Sequence, residues 1–500
     1  MEIRGQKRIV DLAGAGWLAA GVALWAGAWC RWVVAAVLLV AMGCCLWTLW
    51  RDGDSEHEAV SVSGRQIAGA AVLVLVITAI CGVGGFVVQS NDQWGRNAIF
   101  ADLVNYPWPV HKEEKGLWLC YYHALWLAPA LIGKALGLGA CFAAQLLWSA
   151  LGMVLLWLQV CRWMGKARVG YLLWIYLFSG LKIFEMLFAM PATGAGVMDF
   201  ARGIMTDSTI VLGMPFHASS MAQSLYDPIN QTVPVLLAMM LIFNNKRSLS
   251  ILGIYALLPL YAPFPFIALF PIVAVLLWQN GRFKRLFNKQ NIYTTLSALV
   301  LVLASGMYLL GNSSGGERSL RSFEINAFAT AWCFLLYIVC NFGVYMWLAR
   351  KQLHNKMLWI AAVGTVAAFA WIQIGHGNDF VFRSNLPLVF MVLLAVMREW
   401  YESRGRKRAI ISAVVVLGAI PAQIHPGMRM LSSAMIAADI PQSLLNEMQH
   451  FVDVTQLYVF QQTKMRNDDL PTVLSPTPET AEHLRNFTSP QPSFLMTDDY

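Results

Sequence analysis

The sequence predicts an all-α polytopic membrane protein. Three observations carry that prediction. Hydrophobic residues make up 58% of the 500-residue chain and charged residues only 13%, against roughly a quarter charged in ordinary soluble domains. Apolar stretches of about twenty residues recur from end to end, each long enough to cross a hydrocarbon core about 30 Å thick. In lipid the backbone must satisfy its own hydrogen bonds, so these stretches are expected as helices rather than strands.

The net charge of +8 has a membrane explanation. Basic residues cluster in short segments between apolar stretches, as at Arg4, Lys7 and Arg8, at Arg162, Lys166 and Arg168, and at Arg404, Arg406, Lys407 and Arg408. The positive-inside rule places such clusters at the cytoplasmic ends of helices. A nucleic-acid partner is therefore not expected. The nine cysteines form no C-x-x-C pair, so neither a disulfide framework nor a zinc site is expected. The basic, then apolar N-terminus lacks a convincing small-residue cleavage site and reads as a retained first helix.

In chain order, spans are expected near 11–29 and 32–50, a hairpin that returns to the charged segment 51–65, and near 66–88. With the N-terminus cytoplasmic, 89–137 becomes the first long outer loop. Its apolar part, Tyr121 to Leu138, is expected as a surface helix with aromatic anchors. A crossing there would turn Arg162, Lys166 and Arg168 outward. Further spans are expected near 138–160, 169–189, 231–244, 249–262, 263–280, 291–311, 326–349, 357–375, 385–398 and 409–425, about thirteen in all. The stretch 231–280 contains Pro234, Pro259, Pro263, Pro265 and Pro271, which suits broken helices lining a cavity. The membrane domain thus covers 1–425. The tail 426–500 is expected outside, with one amphipathic helix around Leu444, Leu445, Met448, Phe451 and Val452 followed by disorder.

Two segments on the expected outer face repeat one pattern. Asn91-Asp92 is followed by Arg96, and Asn378-Asp379 by Arg383. An acid and a cation four residues apart share a helix face. A carboxylate partly desolvated at a cavity mouth can be tuned as a general base; the plainer role of Asp92 is a helix N-cap. Asp379 and Arg383 separate two close spans, where charges usually face the protein interior and serve function; the plainer role is an ion pair closing a turn. His376 adds polar chemistry beside them, and the fork of Arg383 suits a phosphate. So long a loop as 190–230, with Asp199, Arg202, Asp207, His217 and Asp227, also reads as functional. There His217 is either a substrate contact or a structural histidine. Outer aromatics such as Trp94, Tyr106, Trp108, Tyr121 and Tyr122 offer faces to sugar rings. No P-loop, GxGxxG, HExxH or GxSxG motif stands in a plausible context.

Several segments between about 66 and 395 together resemble one family. "NDQWGRNAIFADLVNYPWPV" places an acid in the first long outer loop, and "YYHALWLAPALIGKALGL" supplies the helix after it. "MPFHASS", "YAPFPFIALFPIV" and "GNDFVFRSNLP" follow as later landmarks. These resemble the GT-C superfamily, integral-membrane glycosyltransferases that use polyprenyl-phosphate-linked sugars, and within it a bacterial group. The helix at Tyr121–Leu138 is similar in placement to the juxtamembrane helix of protein mannosyltransferases. Two features depart from the pattern: Phe216 stands where Gln is expected, and Asn91 and Gln93 flank Asp92 where a second acid is expected. The tail also lacks the large soluble domain of oligosaccharyltransferases.

The resemblance implies sugar transfer from a polyprenyl-phosphate donor to a glycan, lipid or protein acceptor of the cell envelope. The expected location is the periplasmic face of a bacterial inner membrane. It carries a role to Asp92 alone, that of general base. The mechanism itself asks for a cation to steady the departing phosphate, a role for Arg383 with Arg96, or for a divalent metal ion held by Asp92 and Asp379. Direct displacement inverts the anomeric centre. His217 and His376 complete the candidate site. A transporter or flippase of a lipid-linked or anionic substrate is the alternative, since broken helices and sparse buried charges suit it too. A polysaccharide polymerase or an acyltransferase is a third reading.

Overall fold

The structure is a computed structural model. It describes residues 7–52, 60–85, 87, 89, 91–112, 117–227, 229–289, 291–311, 318–320, 325–374, 379–437 and 487–488. Helices α1 (Lys7–Trp29) and α2 (Trp32–Asp52) form the expected first hairpin and pack on each other. α3 (Gly64–Ile80) begins at a capping box, in which the Ser63 hydroxyl accepts from the Gln66 N–H and the Gln66 side chain accepts from the Ser63 N–H. It stops short of residue 88 because Gly82, Gly84 and Gly85 take φ of +83°, +84° and +79°, a region that glycine enters without steric cost.

The segment expected as the first outer loop contains α4 (Asn91–Asn105), then β1 (His111–Lys112) and β2 (Leu117–Leu119), then α5 (Ala124–Leu136). α5 is 13 residues long, about 20 Å at the helical rise, and packs against α1, α4 and α6 (Leu138–Met164). Gly21 of α1 allows this contact, because a Cβ there would sit 2.3 Å from the backbone oxygen of Ala124. Gly21→Ala should therefore lower stability by about 1–3 kcal/mol, read as a depressed thermal midpoint of the purified protein.

The expected span at 169–189 is two helices, α7 (Tyr171–Leu177) and α8 (Lys182–Thr193). The expected loop 190–230 is itself largely helical, with α9 (Val197–Thr206) and α10 (Met221–Tyr226). α11 (Ile229–Asn244) is buried along almost its whole length. α12 (Ser250–Ala256) has only 7 residues, about 10 Å, so 249–262 does not form one crossing helix. α13 (Pro263–Gln279) starts on proline, whose missing N–H costs nothing in a first turn. α14 (Ile292–Leu310) follows, then β3 (Arg318–Leu320). α15 (Ala327–Ile338) and α16 (Val344–Leu348) are joined by a π-helical turn at Val339–Gly343. The break at 178–181 docks on that turn, where the Leu181 N–H donates to the Cys340 carbonyl at 3.0 Å.

α17 (Lys356–Phe369) leads to β4 (Ile372–Ile374), which pairs antiparallel with β3. α18 (Asp379–Ser384) and α19 (Leu386–Glu402) then run on as one stretch that is buried along most of its length. α20 (Gly405–Ala437) continues past the expected boundary at 425. β5 (Phe487–Thr488) pairs antiparallel with β2, so part of the tail returns to the segment between α4 and α5. The expected amphipathic helix around Leu444 to Val452 lies outside the described residues.

Among the described residues, eight helical stretches are long and apolar enough to cross a bilayer: Arg8–Trp29, Trp32–Asp52, Leu138–Met164, Tyr171–Thr193, Ile292–Leu310, Ala327–Leu348, Asp379–Glu402 and Gly405–Leu431. Five more apolar helices have 10–17 residues. The chain is a multi-pass helical membrane protein, with eight such stretches against the larger number expected. The two small sheets had no counterpart in the sequence reading. α11 and α19 touch at the centre of the bundle, and the polar cavity described next lies at their N-terminal ends.

Candidate active site

A cavity of about 210 Å³ lies where the first turns of α11 and α13 meet α10 and α18. Its wall carries Asp227, Asp379, Arg383, Gln223, Gln231 and Phe382, with hydroxyls from Ser219, Ser224 and Thr232. Partial positive charge at the N-termini of α11 and α13 favours an anion there.

Asp379 and Arg383 were expected in a turn between spans. They are helical instead, one turn apart at the start of the buried α18–α19 stretch, with Nη2 3.3 Å from Oδ1. Arg383 is 10% exposed and Asp379 47%, so the cation is held while the acid is half open. Arg383 Nη1 also donates to the Tyr122 hydroxyl at 2.6 Å. The rings of Tyr121 and Tyr122 lie 3.9 Å apart. Burial pushes the Tyr121 hydroxyl well above its ordinary value, opposed by the charges of Arg96 and Arg383, both within electrostatic reach.

Asp92 stands in the first turn of α4; its side chain lies outside the described residues, as does His376. Arg96, one turn further along, is buried and donates to the backbone carbonyl of Asp227. The two Asp-x-x-x-Arg segments thus converge, because Arg96 grips the residue that shares a cavity wall with Asp379 and Arg383. Gln93, which stands where a second acid was expected, donates from Nε2 to the carbonyls of Cys81 and Tyr226 and accepts from Arg429 at 2.9 Å. An acid there would lose both donor bonds. Phe216 likewise fills an apolar site, its ring 5.3–5.9 Å from those of Phe334, Trp371 and Tyr337.

Behind the cavity lies a buried polar network. Lys182 Nζ pairs with Asp207 Oδ1 at 2.8 Å and also donates to the Asp207 carbonyl at 2.7 Å. Ser220 donates to the other Asp207 oxygen at 2.6 Å. His217 is fully buried and does not line the cavity; it faces Gln223, which does. Burial pushes its imidazole well below the usual histidine range, with the Lys182 charge adding to the effect, so the ring is neutral. Asp199 serves α9 instead, accepting from the Gly196 N–H at 2.9 Å.

Sequence reasoning missed Lys182, Glu185, Gln223 and Gln231. Lys182 and Glu185 carried a usable signal, since two charges interrupt the apolar stretch 169–189 and charges within a span are functional by default. The glutamines are uncharged and carried almost none. Among the described residues no group of three or more His, Cys, Asp and Glu could hold a metal ion.

His123, just before α5, gives the packing around that helix a pH signature. Burial lowers its imidazole from 6.5 to about 3, opposed by a weaker backbone interaction with Tyr121. The folded state then binds fewer protons than the unfolded one below pH 6.5, so stability present above that value is lost as pH falls. His123→Phe should flatten the loss between pH 6 and 4 by about 1.4 kcal/mol per pH unit, measured as thermal midpoint against pH for both proteins. The chain matches no protein-family model, no curated protein and no solved structure.

Proposed function

We propose that this protein is a glycosyltransferase that moves a sugar from a polyprenyl-phosphate-linked donor to a cell-envelope acceptor at the periplasmic face of a bacterial inner membrane. One observation carries the reading: a single cavity joins carboxylates, a fixed guanidinium and an unsatisfied buried amide. The amide is Gln231, 1% exposed, with neither polar atom bonded to any described residue. A sugar hydroxyl both donates and accepts, and so satisfies either end of such an amide. Leaving it unpaired would cost about 1–3 kcal/mol.

In this reaction the acceptor hydroxyl oxygen attacks the anomeric carbon, and the bond from that carbon to the phosphate oxygen breaks. The hydroxyl proton passes to the carboxylate of Asp92, with Asp379 as the second acid of the site. The phosphate leaves with the bonding electron pair and is steadied by Arg383, with Arg96 close behind. Displacement from the opposite face inverts the anomeric centre. Phe382 offers a ring face to the sugar, and the surrounding apolar helices suit a donor that enters sideways from the bilayer.

The test is transfer of a labelled sugar from synthetic polyprenyl-phosphate donors by purified protein in nanodiscs. Turnover, or donor hydrolysis where no acceptor is supplied, is expected. Donor binding without either would reassign the cavity to a carrier of lipid-linked substrate.

A further inference from the structure

The hydrogen-bond chemistry behind the cavity fixes which way Gln223 faces. Lys182 can only donate, and its Nζ lies 3.4 Å from Gln223 Oε1. The Thr209 backbone N–H donates to His217 Nδ1 at 3.2 Å, so Nδ1 is the acceptor and the ring proton sits on Nε2. Nε2 lies 3.2 Å from the same Oε1 and donates to it. Two buried donors therefore hold the amide oxygen away from the cavity. The amide nitrogen bonds to no described residue, while Gln223 is half-buried in the cavity wall.

We propose that Gln223 is a donor of fixed polarity that, with Arg383, holds the phosphate oxygens of the lipid-linked substrate, and that Lys182 and His217 are the positioning residues that prevent its amide from turning. The assignment rests on the glycosyltransferase reading for its ligand. Its own content is the direction of one amide. A donor facing inward from Gln223, the guanidinium of Arg383 and the N-termini of α11 and α13 together suit an oxyanion in this cavity. The carboxylates of Asp227 and Asp379 share the cavity wall, Asp379 lying 3.3 Å from Arg383, and suit hydroxyls. A freely turning glutamine would present oxygen as readily as nitrogen, and the oxygen would repel a phosphate. Lys182 and Asp207 are themselves fully buried, so the polarity is built into the packing.

Gln223→Glu isolates this point. A carboxylate keeps an acceptor for Lys182 and His217 but replaces the inward-facing N–H donors with oxygen. The experiment compares binding of farnesyl phosphate, farnesol and inorganic phosphate to the full-length protein in detergent micelles by native mass spectrometry, with the thermal midpoint as the folding control. The wild type is expected to prefer farnesyl phosphate to farnesol by ten-fold or more. Gln223→Glu should lower that preference at least about ten-fold, as expected for loss of a hydrogen bond to a charged group, with farnesol binding and thermal midpoint unchanged. Gln223→Leu should lose the preference to a smaller degree, since it removes the donor without adding charge.

A wild-type preference that survives in both variants would overturn the role of Gln223 and leave the donor reading to Arg383. No preference in the wild type would overturn both. Displacement of farnesyl phosphate by inorganic phosphate at similar concentration would keep Gln223 as an anion donor but move the anion from the lipid to solution, against the lipid-donor reading.

Discussion

Asp92→Ala should lower the rate of sugar transfer by about 10²–10⁴-fold, the contribution of a positioned general base, with little change in thermal midpoint. Arg383→Ala should cost about 10²–10³-fold, the usual effect of removing one preorganised partner of developing negative charge. The two losses differ in kind. Without the base the acceptor is poorly activated, so donor hydrolysis and transfer fall together while donor binding persists. Without Arg383 the leaving phosphate is unsteadied, and Tyr122 and Asp379 both lose a partner, so donor binding weakens as well. Rates measured with a polyprenyl-phosphate sugar in nanodiscs, beside donor affinity, separate the two patterns. Near-normal turnover in Asp92→Ala would leave Asp92 as a first-turn acid favoured by the α4 dipole, in place of the expected N-cap. Loss of turnover in Asp379→Ala but not in Asp92→Ala would transfer the base to the cavity wall.

Lys182→Met should destabilise the fold by about 3–5 kcal/mol, because it leaves the Asp207 carboxylate buried without its cation. Side-chain exposure is 1% for Lys182 and 0% for Asp207, so solvent cannot compensate. Combining Lys182→Met with Asp207→Leu should restore much of the stability, since paired burial of charges is often no better than apolar packing of the same volume. The restored double variant should still lose the phosphate preference, as Gln223 is then held from one side only. Denaturant or thermal unfolding of the three variants checks the stability pattern. If Lys182→Met alone left stability unchanged, the Lys182–Asp207 pair would not be the structural anchor of this region.

The sequence carried different parts of this molecule with different strength. Helices such as α1, α2, α6 and α14 were legible to within about four residues at their ends, because twenty or so apolar residues between charges leave few alternatives in lipid. The stretch 169–189 read as one span because its hydropathy averages over Lys182 and Glu185. Only the buried partners Asp207 and Asn341 reveal why charges sit there. Asp379 and Arg383 were legible as an acid–cation pair at a span end. The sequence did not reveal that they open a helical stretch buried along most of its length, since its first residues look like loop.

The sequence by itself determined the class of protein, the positions of its strongest apolar helices and the two Asp-x-x-x-Arg pairs, because hydropathy and four-residue spacing are local properties. Only the tertiary structure decided that Arg96 reaches Asp227, that Tyr122 anchors Arg383 and that Gln223 and Gln231 face one cavity. The first two contacts join residues more than a hundred positions apart, and a glutamine has no charge or periodicity to announce it. Its role depends on which donors lie behind it, and packing alone sets that.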